Sequence, residues 1–239
     1  MQRLCGAAFI ILCCASPAHA QQMTLDFGDG ASLSGRAVQL FALITVLSLV
    51  PGLAIMVTCF PFIVTVLSIL RQAIGLQQSP PNMLIVSLAL FLTWFVMEPV
   101  FNEAWTKGIQ PLTENTLSIE EALPATIAPF RTFMSARLDP DTFSAMQALR
   151  PGEASAPIDA SLSLLVPSFL LSEIQRAFEI GFLIYLPFLI IDLVVAAVLM
   201  SMGMMMVPPA VVSMPFKLAF FVVADGWALV SGALVRSFF

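Results

Sequence analysis

The chain has 239 residues, 59% of them hydrophobic and only 10% charged, with a mean hydropathy of +0.96. Soluble domains carry charge on about a quarter of their residues, so a chain this apolar must cover its surface with lipid, with other subunits, or with both. The net charge of −5 excludes the basic footprint of a nucleic-acid binder.

Residues 1–20 read as a cleavable signal peptide. Arg3 supplies the positive start, Leu4 to Cys14 the short apolar stretch, and Ala18-His19-Ala20 a cleavage site that ends at Ala20. An uncleaved anchor is the alternative, but polar Gln21 and Gln22 follow at once. Cleavage would remove Cys5, Cys13, Cys14 and His19, leaving Cys59 as the one cysteine and no histidine. An intrachain disulfide, His-dependent catalysis and His-ligated metal sites are then not expected. No catalytic residue, metal site or cofactor is expected.

Residues 21–36 are expected to be a polar periplasmic tail. Residues 37–101 hold two long apolar segments, read as a first helical hairpin. The first runs from 37 to 70 and would measure about 50 Å as one helix against about 30 Å of hydrocarbon. A break is expected at Pro51-Gly52, and the Pro80-Pro81 pair separates this run from the segment Met83 to Phe101, which ends near Glu98-Pro99. Residues 102–160 are charged and Pro-containing, a periplasmic region of two or three short helices with a flexible linker between Thr142 and Ala160. Residues 161–239 form a second apolar hairpin, with Pro167 and Pro187 as candidate kinks and Pro208-Pro209 closing its first arm. A cleaved signal would leave Arg71 and the methionines near 204–206 on the cytoplasmic side.

The apolar segments nevertheless contain Glu98, Glu173, Arg176, Glu179, Asp192, Lys217 and Asp225. A charge at a bilayer centre costs about 2.5–3.5 kcal/mol on insertion scales. Glu173, Arg176 and Glu179 stand on successive turns, so Arg176 can pair with either carboxylate. A proton or ion relay is one reading. Paired charges buried between helices or subunits are the other, and the favoured one, because relays usually place single carboxylates along a path. In MSMGMMMVPP, Met200, Met202, Met204, Met205 and Met206 are flexible, polarizable side chains that reshape around different surfaces. A ring of them from several subunits could close a pore by excluding water. Gly203 permits an unusual turn, and Pro208-Pro209 stops the helix. Ordinary packing is the plain alternative.

The blocks VPSFLLSEIQRAFEIGFLIYLPFLIIDLVVAAVLMSMGMMMVPP (Val166 to Pro209) and PFKLAFFVVADGW (Pro215 to Trp227) closely resemble the FliP family. ILRQAIG, PPNMLIVSLALFLTWFVMEPVF and PFRTFM fit it upstream in the same order. The resemblance implies an all-α, membrane-associated subunit of kinked helical hairpins that assembles into a helical, multi-subunit protein-export gate. It implies about five copies, FliQ-like and FliR-like subunits, FlhB-like and FlhA-like export components, and unfolded export substrates. The gate role would fall to Met204, Met205 and Met206, with Met202 and Gly203 supporting the loop. Glu173, Arg176, Glu179, Asp192, Lys217 and Asp225 would make inter-subunit or inter-helix polar contacts. Thr58 to Ile63 (TCFPFI) departs from the family pattern: Phe62 stands in place of a basic residue, and Pro61 is expected to add a kink. Injectisome relatives share these blocks, but the signal and the long middle region favour the flagellar branch. An ion- or proton-coupled transporter using Asp192, Lys217 and Asp225 is the alternative from another class.

Overall fold

The computed structural model describes residues 33–76, 80–150, 156–204 and 206–239. Every regular element among them is a helix, with no strand. The signal peptide, with Ala18 and Ala20, lies outside the described residues. Among the described residues, those from 33 to 48 belong to one compact unit and those from Leu49 on to a second.

Helix α1 (Leu33–Met56) is apolar on all sides, and none of its stretch Val38–Met56 is buried within the chain. A helix with no polar face belongs in lipid or against a partner. It runs without interruption through Pro51, so the expected break at Pro51-Gly52 is corrected. The break falls at Val57–Cys59, where the Thr58 hydroxyl donates 2.8 Å to the Ile55 carbonyl and closes the helix end. Pro61 then stands in the first turn of α2 (Phe60–Ile74) and starts a helix rather than kinking one. Proline is accepted there because the first-turn N–H has no intrahelical partner.

Helix α2 has 15 residues, about 22 Å at 1.5 Å per residue, too short to span. Its apolar residues are sided: Phe62, Ile63, Val66, Leu67, Leu70, Ala73 and Ile74 are all buried. This helix is the centre of the core, against α3 (Asn82–Ala104), α7 (Leu162–Ser201), α8 (Pro209–Val223) and α9 (Gly226–Arg236). It ends at Gly75, whose φ of 88° suits a residue without Cβ.

Helix α3 does not stop at Glu98-Pro99. It continues through Pro99 into a π-helical turn, Trp105–Ile109, and then α4 (Gln110–Thr113). At that turn Gly108 lies against α5 (Ile119–Ala136), where an added Cβ would sit 2.7 Å from the Thr126 nitrogen and 2.8 Å from its Cα. Backbone cannot step aside as a side chain can. Gly108→Ala is therefore expected to destabilise by about 1–3 kcal/mol, the range for overpacking, read as a lower melting temperature of the detergent-solubilised protein.

Helix α5 opens on a capping box: the Glu121 N–H donates to the Ser118 hydroxyl at 3.4 Å, and the Ser118 N–H donates to the Glu121 carboxylate at 3.2 Å. The hydrogen bond from the Ser118 hydroxyl, then that from its N–H, holds the Glu121 carboxyl below the usual carboxylate range. Helix α6 (Pro140–Ala148) occupies the first part of the expected linker, so Thr142 to Ala148 is ordered structure. Asp139 caps it, accepting from the Thr142 hydroxyl and N–H, which lower the Asp139 carboxyl pKa.

Helix α7 is one element of 40 residues that passes through both Pro167 and Pro187. It approaches α2 closely at Gly181, where a Cβ would meet Ile69 Cγ2 at 3.1 Å. Helices α8 and α9 meet at a 61° bend, where Asp225 takes φ 51°. Among the described residues, three helices are long and apolar enough to cross a membrane, or up to four if the bent pair counts as one span.

Candidate functional site

Helix α7 ends in a Schellman motif that the sequence dictates. The Gly203 N–H donates 3.1 Å to the Met200 carbonyl and the Met204 N–H 3.0 Å to the Leu199 carbonyl. This closure needs a residue at positive φ, and Gly203 has φ +74°. Pro208 and Pro209 then open α8, Pro209 lying where no N–H is required. Between these two signals the chain presents its methionines outward: Met202 is 65% exposed, Met204 38% and Met206 98%. Met205 lies outside the described residues. Beside the loop, α7 and α8 leave an open cavity of about 560 Å³ lined by apolar side chains, among them Val198, Leu199, Met202, Val212 and Phe216. The hairpin does not fill its own groove.

A polar cluster joins the same two helices. Lys217 on α8 is 5% exposed and donates 2.7 Å to Asp192 Oδ2 on α7 and 3.1 Å to the Ala73 carbonyl at the end of α2. Ser213, fully buried and one turn before Lys217, donates 2.5 Å to Asp192 Oδ1. One ammonium thus ties three helices and satisfies a carbonyl in the last turn of α2. Asp225 does not join this cluster. It is exposed at the α8–α9 bend, and its side chain makes no capping hydrogen bond.

A second cluster surrounds Glu173, which is fully buried in the middle of an apolar helix face. Its main partner is Arg137, at the C-terminal end of α5, with Nε 2.7 Å from Glu173 Oε1. Arg176, expected from helical spacing, is farther away at 3.7 Å and partly exposed. Glu179 is exposed and accepts from Gln175 at 3.2 Å. The Arg137 guanidinium also donates 3.1 Å to the Ser237 carbonyl and lies 3.9 Å from the centre of the Phe238 ring and 5.7 Å from that of Phe62. Phe62 is thus a buried aromatic floor under a charge supplied from elsewhere. Arg137 was missed by sequence reasoning because it stands 36 residues from its carboxylate. The one available signal was that Glu173, in so apolar a stretch, demands a cation.

These sites lie within blocks shared with known proteins. The family model described as "FliP family" matches residues 43–234. The chain is 50% identical over 232 residues to a protein of Caulobacter vibrioides named flagellar biosynthetic protein FliP, covering 95% of this chain and 87% of that one. Proteins of the same name from Agrobacterium fabrum and Bacillus subtilis are 46% and 45% identical, covering 96% and 84% of this chain and 96% and 91% of theirs. Identity at this level across nearly the whole length leaves one assignment: the chain belongs to the FliP family.

Proposed function

We propose that this chain is an inner-membrane component of flagellar biosynthesis, and that it serves as a pore-forming subunit of the type III export gate through which unfolded flagellar proteins pass. The observation that carries the proposal is the α7–α8 hairpin. It combines an unfilled apolar groove with a tightly capped loop that turns Met202, Met204 and Met206 to the outside. Such a hairpin is incomplete alone. Several copies arranged around an axis would fill the grooves and bring the loops together as a deformable seal. In this reading Gly203 fixes the loop, and Glu173, Arg176, Glu179, Asp192, Lys217 and Asp225 serve contacts between helices or subunits. Residues 102–160 face the periplasm, and residues 1–20 direct insertion and are removed.

The partners are further copies of this chain, about five in a helical assembly, with FliQ-like, FliR-like, FlhA-like and FlhB-like components. The names of the relatives support the flagellar assignment. An ion-coupled transporter has less support, since Asp192 and Lys217 already neutralise one another and Asp225 stands outside their cluster.

Native mass spectrometry of the detergent-extracted complex tests the proposal. The expected result is a multi-copy species with co-purified partner subunits, each copy lacking residues 1–20. A monomer with no partners would reduce the methionine loop to ordinary packing.

A further inference from the structure

A second cavity, of about 550 Å³, opens between α2, α7 and α8, with Arg71, Lys217, Asp192, Tyr185, Val211 and Met214 among its walls. Its volume falls within the roughly 300–1,000 Å³ of small-molecule sites. Its chemistry divides in two. Arg71 and Lys217 bring two positive charges and Asp192 one negative, so the lining carries a net charge of +1: the Lys217–Asp192 pair cancels and Arg71 remains.

The polar groups also have donors to spare. Lys217 uses two of its three ammonium protons on Asp192 and Ala73. Arg71 gives one nitrogen to Asn82, leaving most of its five donors. The hydroxyl of Tyr185, the one tyrosine of the chain, makes no hydrogen bond recorded among the described residues. Apart from Gln72, the rest of the wall is glycine and apolar side chains, and Val211 at the start of α8 is 63% exposed.

We infer that this cavity binds the phosphate headgroup of an anionic phospholipid, with the acyl chain lying along the exposed apolar side of α8. A phosphodiester matches a single uncompensated guanidinium and several convergent donors. Basic pockets between membrane helices take such headgroups. Inorganic phosphate shares the polar chemistry but makes no use of the apolar wall, which is why a lipid is the occupant. This site is independent of any pore role.

The test uses the full chain, with whatever co-purifies, reconstituted with phosphatidylcholine and phosphatidylglycerol and then extracted for native mass spectrometry. The wild type is expected to retain phosphatidylglycerol selectively, and Arg71→Gln to lower that retention about fivefold, the share of one basic side chain near a membrane. Tyr185→Phe is expected to lower it in the same direction, and melting temperatures measured alongside identify any variant that misfolds. Equal retention of the two lipids, or selectivity unchanged in both variants, would overturn the site. Stabilisation by millimolar inorganic phosphate without lipid selectivity would overturn the lipid assignment in favour of a soluble anion. A photo-crosslinking residue at Gln72, which also lines the cavity, should capture lipid. Capture of a co-purifying subunit there would overturn it too.

Discussion

Arg137→Met is expected to destabilise the protein by about 3–5 kcal/mol, the usual result of removing one partner from a buried ion pair. The magnitude follows from burial rather than from the Coulomb attraction. Glu173 is 0% exposed and Arg137 10% exposed, so loss of the guanidinium leaves a carboxylate without its closest cation in an apolar setting. Arg176, at 3.7 Å and partly exposed, can offset only a fraction. An exposed pair such as Lys107–Glu103 contributes about 0–1 kcal/mol at most. The same substitution also frees Ser237 and Phe238 from Arg137, loosening the chain's last residues from the core. Thermal melting in detergent reads the loss. The double variant Arg137→Met, Glu173→Leu should recover most of it, because replacing both members of a buried pair by apolar groups is often close to neutral. A single variant that melts like the wild type would show that Glu173 has another way to shed its charge.

Substituting Met204, Met205 and Met206 together by alanine is expected to leave assembly intact and make the membrane permeable to ions. Stability should change little, since Met206 is 98% and Met204 38% exposed within the chain and so have little packing to lose there. The effect lies in the assembled state. A hydrophobic constriction blocks ions by excluding water, and the methylene, sulfur and methyl removed from each side chain widen it. Conductance of vesicles containing the purified complex measures the outcome. An assembled triple variant with unchanged permeability would refute the gate role while leaving family membership untouched.

Much of the architecture was legible because its signals are local. Gly75, Pro80-Pro81 and the Gly203 to Pro209 stretch each mark a real end or start of a helix, for reasons internal to a few residues: a positive φ, or an N–H that is not needed. The interior prolines misled at Pro51 and Pro99, through which the helices run on, while Pro167 and Pro187, read as candidate kinks, lie inside the continuous α7. A proline inside a helix costs about 3 kcal/mol because it lacks the N–H for one hydrogen bond and its ring crowds the carbonyl four residues back. In an apolar setting a broken helix would leave still more backbone groups with no partner at all, so remaining helical is the better option for the backbone.

The sequence by itself determined the all-helical, apolar class of the protein, the ends of the methionine loop and its family, since each rests on composition or on residues adjacent in the chain. The tertiary structure decided which apolar helix is core. That helix is α2, whose buried side is filled by α3, α7 and α8. It also decided which charge answers which. Lys217 meets Asp192 and Ala73, and Glu173 meets Arg137. Helical spacing names only neighbours on one helix, whereas a buried charge is satisfied by whatever the packing of distant segments brings within hydrogen-bond reach.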